Sequence, residues 1–171
     1  EGANEDALAS LLAKMQQAGL HVESSAAGVG VKSGNNRMKA VDIKTMPYPG
    51  FATDLQSQFM ALMTLACGTA IIAENIFENR FQHADEMRRM GANIKIIGRA
   101  AVVNGVKKLY GNTVQASDLR AGAALVLTGL AAEGETVVEN IEYIDRGYES
   151  FEEKLQSLGA HIERVAQIAE K

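Results

Sequence analysis

The chain contains two copies of one ordered set of motifs, and this internal repeat constrains its fold more than any other feature of the sequence. In each copy an apolar segment ends in the tripeptide Glu-Asn-Ile, at residues 74–76 and again at 139–141. A helix-like segment then closes on a glycine, at Gly91 and at Gly159, and an equivalent glycine, Gly19, lies near the start. These glycines recur about every 70 residues, which exceeds most solenoid periods and indicates duplicated α/β units inside one domain.

The repeat predicts one domain over residues 1–171, divided into three units. We expect residues 1–50 to form a partial first unit, 51–116 the second and 117–171 the third. The first unit shows only the second half of the pattern, so its opening helix and strand are expected to lie before Glu1. The chain begins without methionine and without the features of a signal peptide, which fits an excised piece as well as removal of a tag.

Two of the predicted helices should be buried on all sides. The apolar residues of the segments that begin at Asp54 and Asp118 surround the helix axis, which is typical of a buried helix. The helices that close each unit have a single apolar stripe and are expected to be half exposed. Residues expected to start helices fit capping boxes or caps: Thr53 with Gln56, Ser150 with Glu153, and Ser117.

The predicted strands complete an α/β architecture. Each unit is expected to run helix, strand, helix and then two or three strands. The strands are predicted at 29–32, 40–44, 70–75, 94–97, 101–104 and 136–141. With the most apolar helices inside, the sheets and the half-exposed helices must lie outside. The pattern therefore predicts an inside-out α/β barrel domain built from repeated helix–strand units.

Composition argues against several classes of function. The net charge of −4 and the lack of a basic stretch argue against a nucleic-acid binder. The single cysteine, Cys67, is expected in buried packing and favours a reducing, cytoplasmic compartment. The longest apolar run, 121–132, is too short to span a bilayer. His21, His83 and His161 lack ligand spacing, so we expect no metal site and no cofactor.

Three arginines are candidate ligands for an anion. Arg120 is expected in the first turn of a buried helix, where the macrodipole disfavours a cation and where free N–H groups favour an anion. A structural pair with Asp118 or with a glutamate would explain Arg120 equally well. Arg80 and Arg146 occupy equivalent places in the two repeats. They either converge on one polyanion or pair with neighbouring loop carboxylates.

Asp54 is a candidate general base. It lies at the start of a buried helix, where the dipole favours a carboxylate and where such a residue usually only starts the helix. A general base must also reach a substrate hydroxyl within hydrogen-bond distance. The residue pattern by itself favours the helix-starting role.

Five stretches match the ordered motifs of a known enzyme family: residues 47–56, 77–81, 89–92, 116–121 and 144–149. With them the sequence resembles the UDP-N-acetylglucosamine enolpyruvyl (1-carboxyvinyl) transferase family over nearly its whole length. The resemblance implies the C-terminal part of an enzyme that transfers enolpyruvyl from phosphoenolpyruvate to the 3-hydroxyl of UDP-N-acetylglucosamine. That reaction is the first committed step of peptidoglycan precursor synthesis. It also implies a domain of three repeated units with helices inside and sheets outside.

The resemblance implies roles for individual residues. Asp54 matches the proposed proton acceptor beside the sugar hydroxyl. Ile76 and Phe77 match the segment whose backbone lines the sugar site. The residues that match ligands of phosphoenolpyruvate are Arg80, Arg120 and Arg146, and we place Asp118 with them among the substrate-binding residues.

Other features of the family have no counterpart in the sequence. These are a lysine–asparagine pair and a mobile loop with a reactive cysteine or aspartate, and Cys67 is not that cysteine. We therefore expect the isolated chain to be inactive, to need the missing N-terminal half, and to self-associate through the gap in its first unit. A non-catalytic binding or scaffold homologue is the alternative, but retention of Asp54 with three arginines favours the enzyme. The acidic charge disfavours a relative that acts on RNA ends.

Overall fold

The structure, a computed structural model, describes residues 2–34 and 36–165 of the chain. Its helices are α1 (Glu5–Gln17), α2 (Gln56–Thr64), α3 (His83–Arg89), α4 (Leu119–Leu130), α5 (Glu142–Asp145) and α6 (Phe151–Ser157). Its strands are β1 (His21–Ser25), β2 (Gly28–Lys32), β3 (Ile43–Lys44), β4 (Thr69–Ala73), β5 (Asn93–Ile97), β6 (Ala100–Asn104), β7 (Thr113–Gln115) and β8 (Val137–Glu139). A 3₁₀ turn over Thr53–Leu55 leads into α2. None of the described helices has both the length and the apolar character needed to cross a membrane.

The strands form three separate sheets. A four-stranded sheet has the order β3-β4-β6-β5, in which β3 runs parallel to β4 and the other pairs are antiparallel. The first two strands form an antiparallel hairpin, β1-β2. The last two, β7 and β8, are parallel and are separated in the sequence by α4, as β3 and β4 are separated by α2. Residues 113–139 therefore repeat the strand–helix–strand arrangement of residues 43–73.

Helices α2 and α4 pack against each other at the centre of the molecule. Their buried residues lie around most of each helix, and Met60, Met63 and Leu125 are fully enclosed. The four-stranded sheet contributes the buried side chains of Ile72 and Val103 to the same core. The expected burial of these two apolar helices is confirmed, because a helix without a polar face has no side to present to water.

The helices that close the repeats are more exposed. In α1 only Leu12 is buried, and α6 has no buried residue. Each ends at a predicted glycine, with φ of 92° at Gly19 and 92° at Gly159, and α3 ends likewise with φ of 94° at Gly91. A positive φ strains any residue with a Cβ, which explains why glycine follows all three helices.

Both predicted capping boxes are wrong. The hydroxyl of Thr53 donates to Glu74 Oε2 at 2.9 Å instead of accepting from its own helix, and α2 has no side-chain cap. Ser150 has a left-handed backbone with φ of 44°, and its side chain does not cap α6. In the first case a hydrogen bond to Glu74, which lies 21 residues away in the sequence, replaces the local cap, and a local pattern cannot reveal it.

The strand predictions hold except that 40–44 pairs over a shorter range and that two strands, β1 and β7, were not predicted. The segment predicted at 40–44 pairs only as the two-residue β3, because the Asp42 carboxylate accepts the N–H of Ile71 at 2.7 Å in place of a main-chain partner. The three-residue β7 and the one-turn α5 lack the length for a periodic signal, and both were missed.

Cys67, expected in buried packing, is exposed, since it follows α2 in a surface bridge to Lys39.

Candidate active site

Asp54 and two arginines from separate segments meet beside the start of α4. Asp54 lies in the 3₁₀ turn before α2, Arg120 in the first turn of α4, and Arg80 in the loop between β4 and α3. Arg120 Nε donates to Asp54 Oδ1 at 2.5 Å, and Arg80 Nη2 lies 3.6 Å from the same oxygen. These three residues, called here the Asp54 cluster, place two cations around one carboxylate.

The arginines keep Asp54 ionised. The hydrogen bond from Arg120 holds the pKa of Asp54 below its ordinary value of 3.8, against the opposing effect of partial burial, and the charges of Arg120 and Arg80 add to the lowering. The Asp54 side chain remains 59% exposed, so a ligand can reach it. An exposed carboxylate beside two guanidinium groups is a suitable place for a substrate that carries both a hydroxyl and an anion.

Arg80 is held in place with part of its binding capacity unused. Its side chain is only 20% exposed, and its guanidinium carbon lies 4.6 Å from the centre of the Phe77 ring. Within the described residues its buried Nη2 has no hydrogen-bond partner. A buried, fixed guanidinium with a free donor is equipped to bind an anionic oxygen. Its charged neighbour is Asp54 of another segment, so the pairing with a loop carboxylate considered from the sequence is wrong.

Asp118 positions Arg120 through the backbone. Asp118 Oδ1 accepts from the N–H of Arg120 at 2.8 Å and of Ala121 at 3.0 Å, so Asp118, and not Ser117, is the N-cap of α4. The side chain of Arg120 pairs with Asp54 instead of Asp118, which corrects the structural pair considered from the sequence.

Ile76 and Phe77 lie in the loop that leads to Arg80, and both side chains are exposed. Their N–H groups donate to Glu74 Oε1, at 2.9 Å from Ile76 and 3.1 Å from Phe77. The carbonyl of Phe77 accepts from Arg99 Nη2 at 3.4 Å. The loop backbone is therefore held from both sides, which gives any ligand that lies along it a fixed surface.

Glu74 is a buried charged residue beside the site that sequence reasoning missed. It lies just after β4, is 1% exposed, and also accepts from the hydroxyls of Thr45 at 2.8 Å and Thr53 at 2.9 Å. Burial alone would raise the pKa of Glu74, but the hydrogen bonds, led by the one from the Phe77 N–H, lower it below 4.5. The available signal was an acidic residue directly after an apolar strand, where water would normally be its partner.

Arg146 makes no hydrogen bond or ion pair with the Asp54 cluster. It is exposed at the end of α5, and no hydrogen bond or ion pair joins its side chain to any described residue. The neighbouring Asp145 is occupied by Arg164 Nη2 at 2.7 Å, so the local pairing considered for Arg146 is also wrong. The structure brings together two of the three predicted arginines, and the role of Arg146 stays a prediction.

A cleft and a buried histidine adjoin the cluster. The cleft has a volume of about 530 Å³ and includes Phe77, Arg80 and Arg99 in its lining.

His83 is 2% exposed, and burial lowers its pKa to about 4, an effect reinforced by Arg80 and opposed by Asp118. Among the described residues no group of three or more potential ligands could hold a metal ion.

Comparison with known proteins identifies the family. A family profile described as EPSP synthase (3-phosphoshikimate 1-carboxyvinyltransferase) matches residues 2–155. A UDP-N-acetylglucosamine 1-carboxyvinyltransferase from Desulfofundulus thermocisternus is 57% identical over 91% of this chain and 63% of its own length. UDP-N-acetylglucosamine 1-carboxyvinyltransferase 2 from Clostridium tetani is 54% identical over 96% of this chain. The chain spans only 39% of the length of that relative.

Solved structures agree with this result. The enolpyruvyl transferase NikO from Streptomyces tendae matches 92% of this chain and 36% of its own chain, with a TM-score of 0.85 and 29% identity. An EPSP synthase from Acinetobacter baumannii matches 95% of this chain and 38% of its own, with a TM-score of 0.66 and 18% identity, and supports the fold alone. The resemblance seen in the sequence is confirmed. The chain belongs to the EPSP synthase (3-phosphoshikimate 1-carboxyvinyltransferase) family and has the α/β fold of its enolpyruvyl transferases.

Proposed function

We propose that this chain is part of a transferase that moves the enolpyruvyl group of phosphoenolpyruvate to the 3-hydroxyl of UDP-N-acetylglucosamine, for peptidoglycan precursor synthesis. The names of the relatives at 57% and 54% identity support this substrate pair. The observation that carries the proposal is the Asp54 cluster, in which a reachable carboxylate lies between two arginines. A proton acceptor beside ligands for phosphate and carboxylate is what such a transfer requires.

The geometry suggests how substrate binding could activate Asp54. Without a ligand, Arg120 and Arg80 hold the pKa of Asp54 low, so the carboxylate is a weak base. The phosphate and carboxylate of phosphoenolpyruvate compete for the same guanidinium groups. As the arginines turn to the substrate, the pKa of Asp54 rises toward its ordinary range. The carboxylate can then accept the proton of the attacking hydroxyl, and the reaction proceeds by addition and elimination with release of phosphate.

The architecture we propose is the inside-out α/β barrel, with a partial first unit at 1–50, a second unit at 51–116 and a third at 117–171. The burial of α2 and α4 and their direct packing support the inner layer. A strand–helix–strand arrangement recurs in 43–73 and 113–139. This recurrence supports the spacing of the proposed units.

The remaining catalytic groups are proposed to come from the rest of the enzyme. The N-terminal half would supply the lysine–asparagine pair and the mobile loop that have no counterpart in this sequence. The exposed Arg146 is then proposed to bind substrate once both halves enclose it. We further propose a cytoplasmic location, inactivity of the isolated chain, and self-association of that chain through partly exposed apolar residues of α4 such as Leu127 and Leu130.

Replacement of Asp54 tests the proposed function. In the complete enzyme that carries this chain, Asp54→Asn should lower kcat by about 10²–10⁴-fold, since that is what a positioned base contributes. Phosphate release from phosphoenolpyruvate with UDP-N-acetylglucosamine is the measurement. Asp6→Asn, a carboxylate in the first turn of α1, is the control and should leave kcat unchanged. An Asp54→Asn enzyme as fast as the control would reduce Asp54 to a structural residue. A wild-type enzyme without phosphate release would favour a non-catalytic homologue.

A further inference from the structure

Glu74 connects three segments that build the site. Oε1 of Glu74 accepts from the N–H groups of Ile76 and Phe77 and from the hydroxyl of Thr45, which follows β3. Oε2 accepts from the hydroxyl of Thr53, at the start of the 3₁₀ turn that carries Asp54. One buried carboxylate therefore contacts the loop that leads to Arg80 and the turn that carries Asp54.

Further hydrogen bonds fix the frame around Glu74. The hydroxyl of Thr45 also accepts the N–H of Asn75 at 2.9 Å. Arg99 Nε donates to the Glu74 carbonyl at 3.0 Å, and its Nη2 reaches the Phe77 carbonyl. The Glu74 side chain is 1% exposed, so its position is set by these donors and not by water. A carboxylate with this many fixed donors has little freedom to move.

A contribution to folding stability does not by itself explain why the Glu74 carboxylate is buried here. Burial of a charge is costly, and a network of this kind often adds no more stability than apolar residues of similar volume. Accurate placement of neighbouring catalytic groups explains it better, because a displacement of about 1 Å in a catalytic group can cost about 10²-fold in rate. The two segments that Glu74 joins carry a proton acceptor and an anion ligand that must act on one substrate.

We infer that Glu74 is a positioning residue: it locks the Asp54 turn to the loop at 75–80, so that Asp54 and Arg80 keep the spacing that the transfer needs. Its effect on rate rests on the proposed function, whereas its effect on the loop does not. Glu74 acts through its neighbours and makes no contact with substrate in this scheme.

The second repeat provides a matched control. Glu139 occupies the same place in the same tripeptide, directly before Asn140 and Ile141. Its side chain is exposed, and its hydrogen-bond partner is Gln115 Nε2 at 3.2 Å. Glu139 joins no loop to a catalytic turn, so the same substitution at Glu139 measures the loss of a carboxylate without the loss of the lock.

Hydrogen exchange on the chain tests the lock without reference to catalysis. In Glu74→Ala the amides of Ile76 and Phe77 lose their acceptor and should exchange about tenfold faster or more. Glu139→Ala should leave both amides unchanged. Unchanged amides of the β4-β6 ladder would show that the fold persists. If Glu74→Ala does not fold, Glu74→Leu replaces it, because leucine fills a similar volume and accepts no hydrogen bond from either amide. Ile76 and Phe77 amides as protected in Glu74→Ala as in Glu139→Ala would overturn the inference.

Kinetics of the complete enzyme test the positioning role. Glu74→Ala should lower kcat/KM by about 10²-fold. Glu74→Gln should recover most of that loss, because its oxygen still accepts from the loop amides and its NH₂ group can donate to the Thr53 hydroxyl. Thr53→Val removes only the link to the Asp54 turn, so kcat should fall while the KM for phosphoenolpyruvate changes little.

The outcomes separate the two proposals. A wild-type enzyme that releases no phosphate would end the proposed function, and the exchange data would still decide on the lock. Equal kcat/KM for Glu74→Ala and Glu139→Ala in an active enzyme would overturn the positioning role. So would a Glu74→Gln enzyme as slow as Glu74→Ala, because glutamine keeps the hydrogen bonds of the lock and loses only the negative charge.

Discussion

The two repeats carry the same motifs in the same order, but the structure uses them differently. In the first of the two copies Glu74 is buried and accepts hydrogen bonds from a loop, whereas its counterpart in the second copy, Glu139, is exposed. Arg80 is half buried against Asp54, and Arg146 is exposed. The same residue types occur in both copies, but only the first copy holds them in fixed positions, because a charged group keeps one position only when its surroundings constrain it.

The aspartates show the same division. Asp54 and Asp118 each begin an apolar helix, and the local residue pattern around them does not distinguish the two. Asp118 caps α4 with two hydrogen bonds to backbone N–H groups. Asp54 caps nothing and instead faces the side chains of Arg120 and Arg80. A carboxylate that serves its own helix is committed to structure, and one that faces two arginines remains available to a substrate.

The largest stability effect should come from His83, at the start of α3. Burial lowers its pKa to about 4 from 6.5, so the folded chain disfavours the protonated ring. The unfolded chain binds more protons between these values, so stability is full above pH 6.5 and is lost as the pH falls toward 4. The loss should reach about 3 kcal/mol.

Urea unfolding of wild type and His83→Gln from pH 7 to pH 4 measures this effect. The difference between the two free energies of unfolding should shrink as the pH falls. Among the described residues of the second copy the one histidine, His161, is exposed and offers no equivalent effect. A constant difference across the range would show that folding leaves the pKa of His83 unchanged.

Arg120→Lys should give the next largest effect. A lysine keeps the charge but not the planar fork, so it cannot hold Asp54 and an anionic substrate group as Arg120 does. The KM for phosphoenolpyruvate in the complete enzyme should rise about 10- to 100-fold, as expected for a lost charged hydrogen bond. Arg164→Lys is a control, because Arg164 is bound to Asp145 and Glu152 at the surface. Equal KM values for the two variants would return Arg120 to a purely structural role.

The features that the sequence predicted are those set by local pattern. The central helices are apolar on all sides, and Gly19, Gly91 and Gly159 follow helices with positive φ, so both could be recognised within a short window. The family motifs pointed to Asp54 and Arg80 before any geometry was known. Such features depend on residues close together in the chain.

The features that the sequence did not predict depend on contacts across the fold. Thr53 fits a capping box, yet its hydroxyl turns to Glu74, which is 21 residues away. Glu74 itself looked like an ordinary polar residue after a strand, because its donors come from Thr45, Thr53 and a loop backbone. Nearby carboxylates were considered as partners of Arg80 and Arg120 for the same reason, and both side chains face Asp54 instead.

The smallest predicted effect separates the two aspartates by stability. Asp118→Ala removes an N-cap and should lower the free energy of unfolding by about 1 kcal/mol. Ser117→Ala should change it little, because Ser117 is not the cap. Asp54→Ala should also cost little, since its partners Arg80 and Arg120 stay partly solvated. Thermal unfolding of the three variants measures these differences. A loss at Asp54 equal to that at Asp118 would mean that the Asp54 cluster is a structural ion pair, and the division of roles between the two repeats would fail.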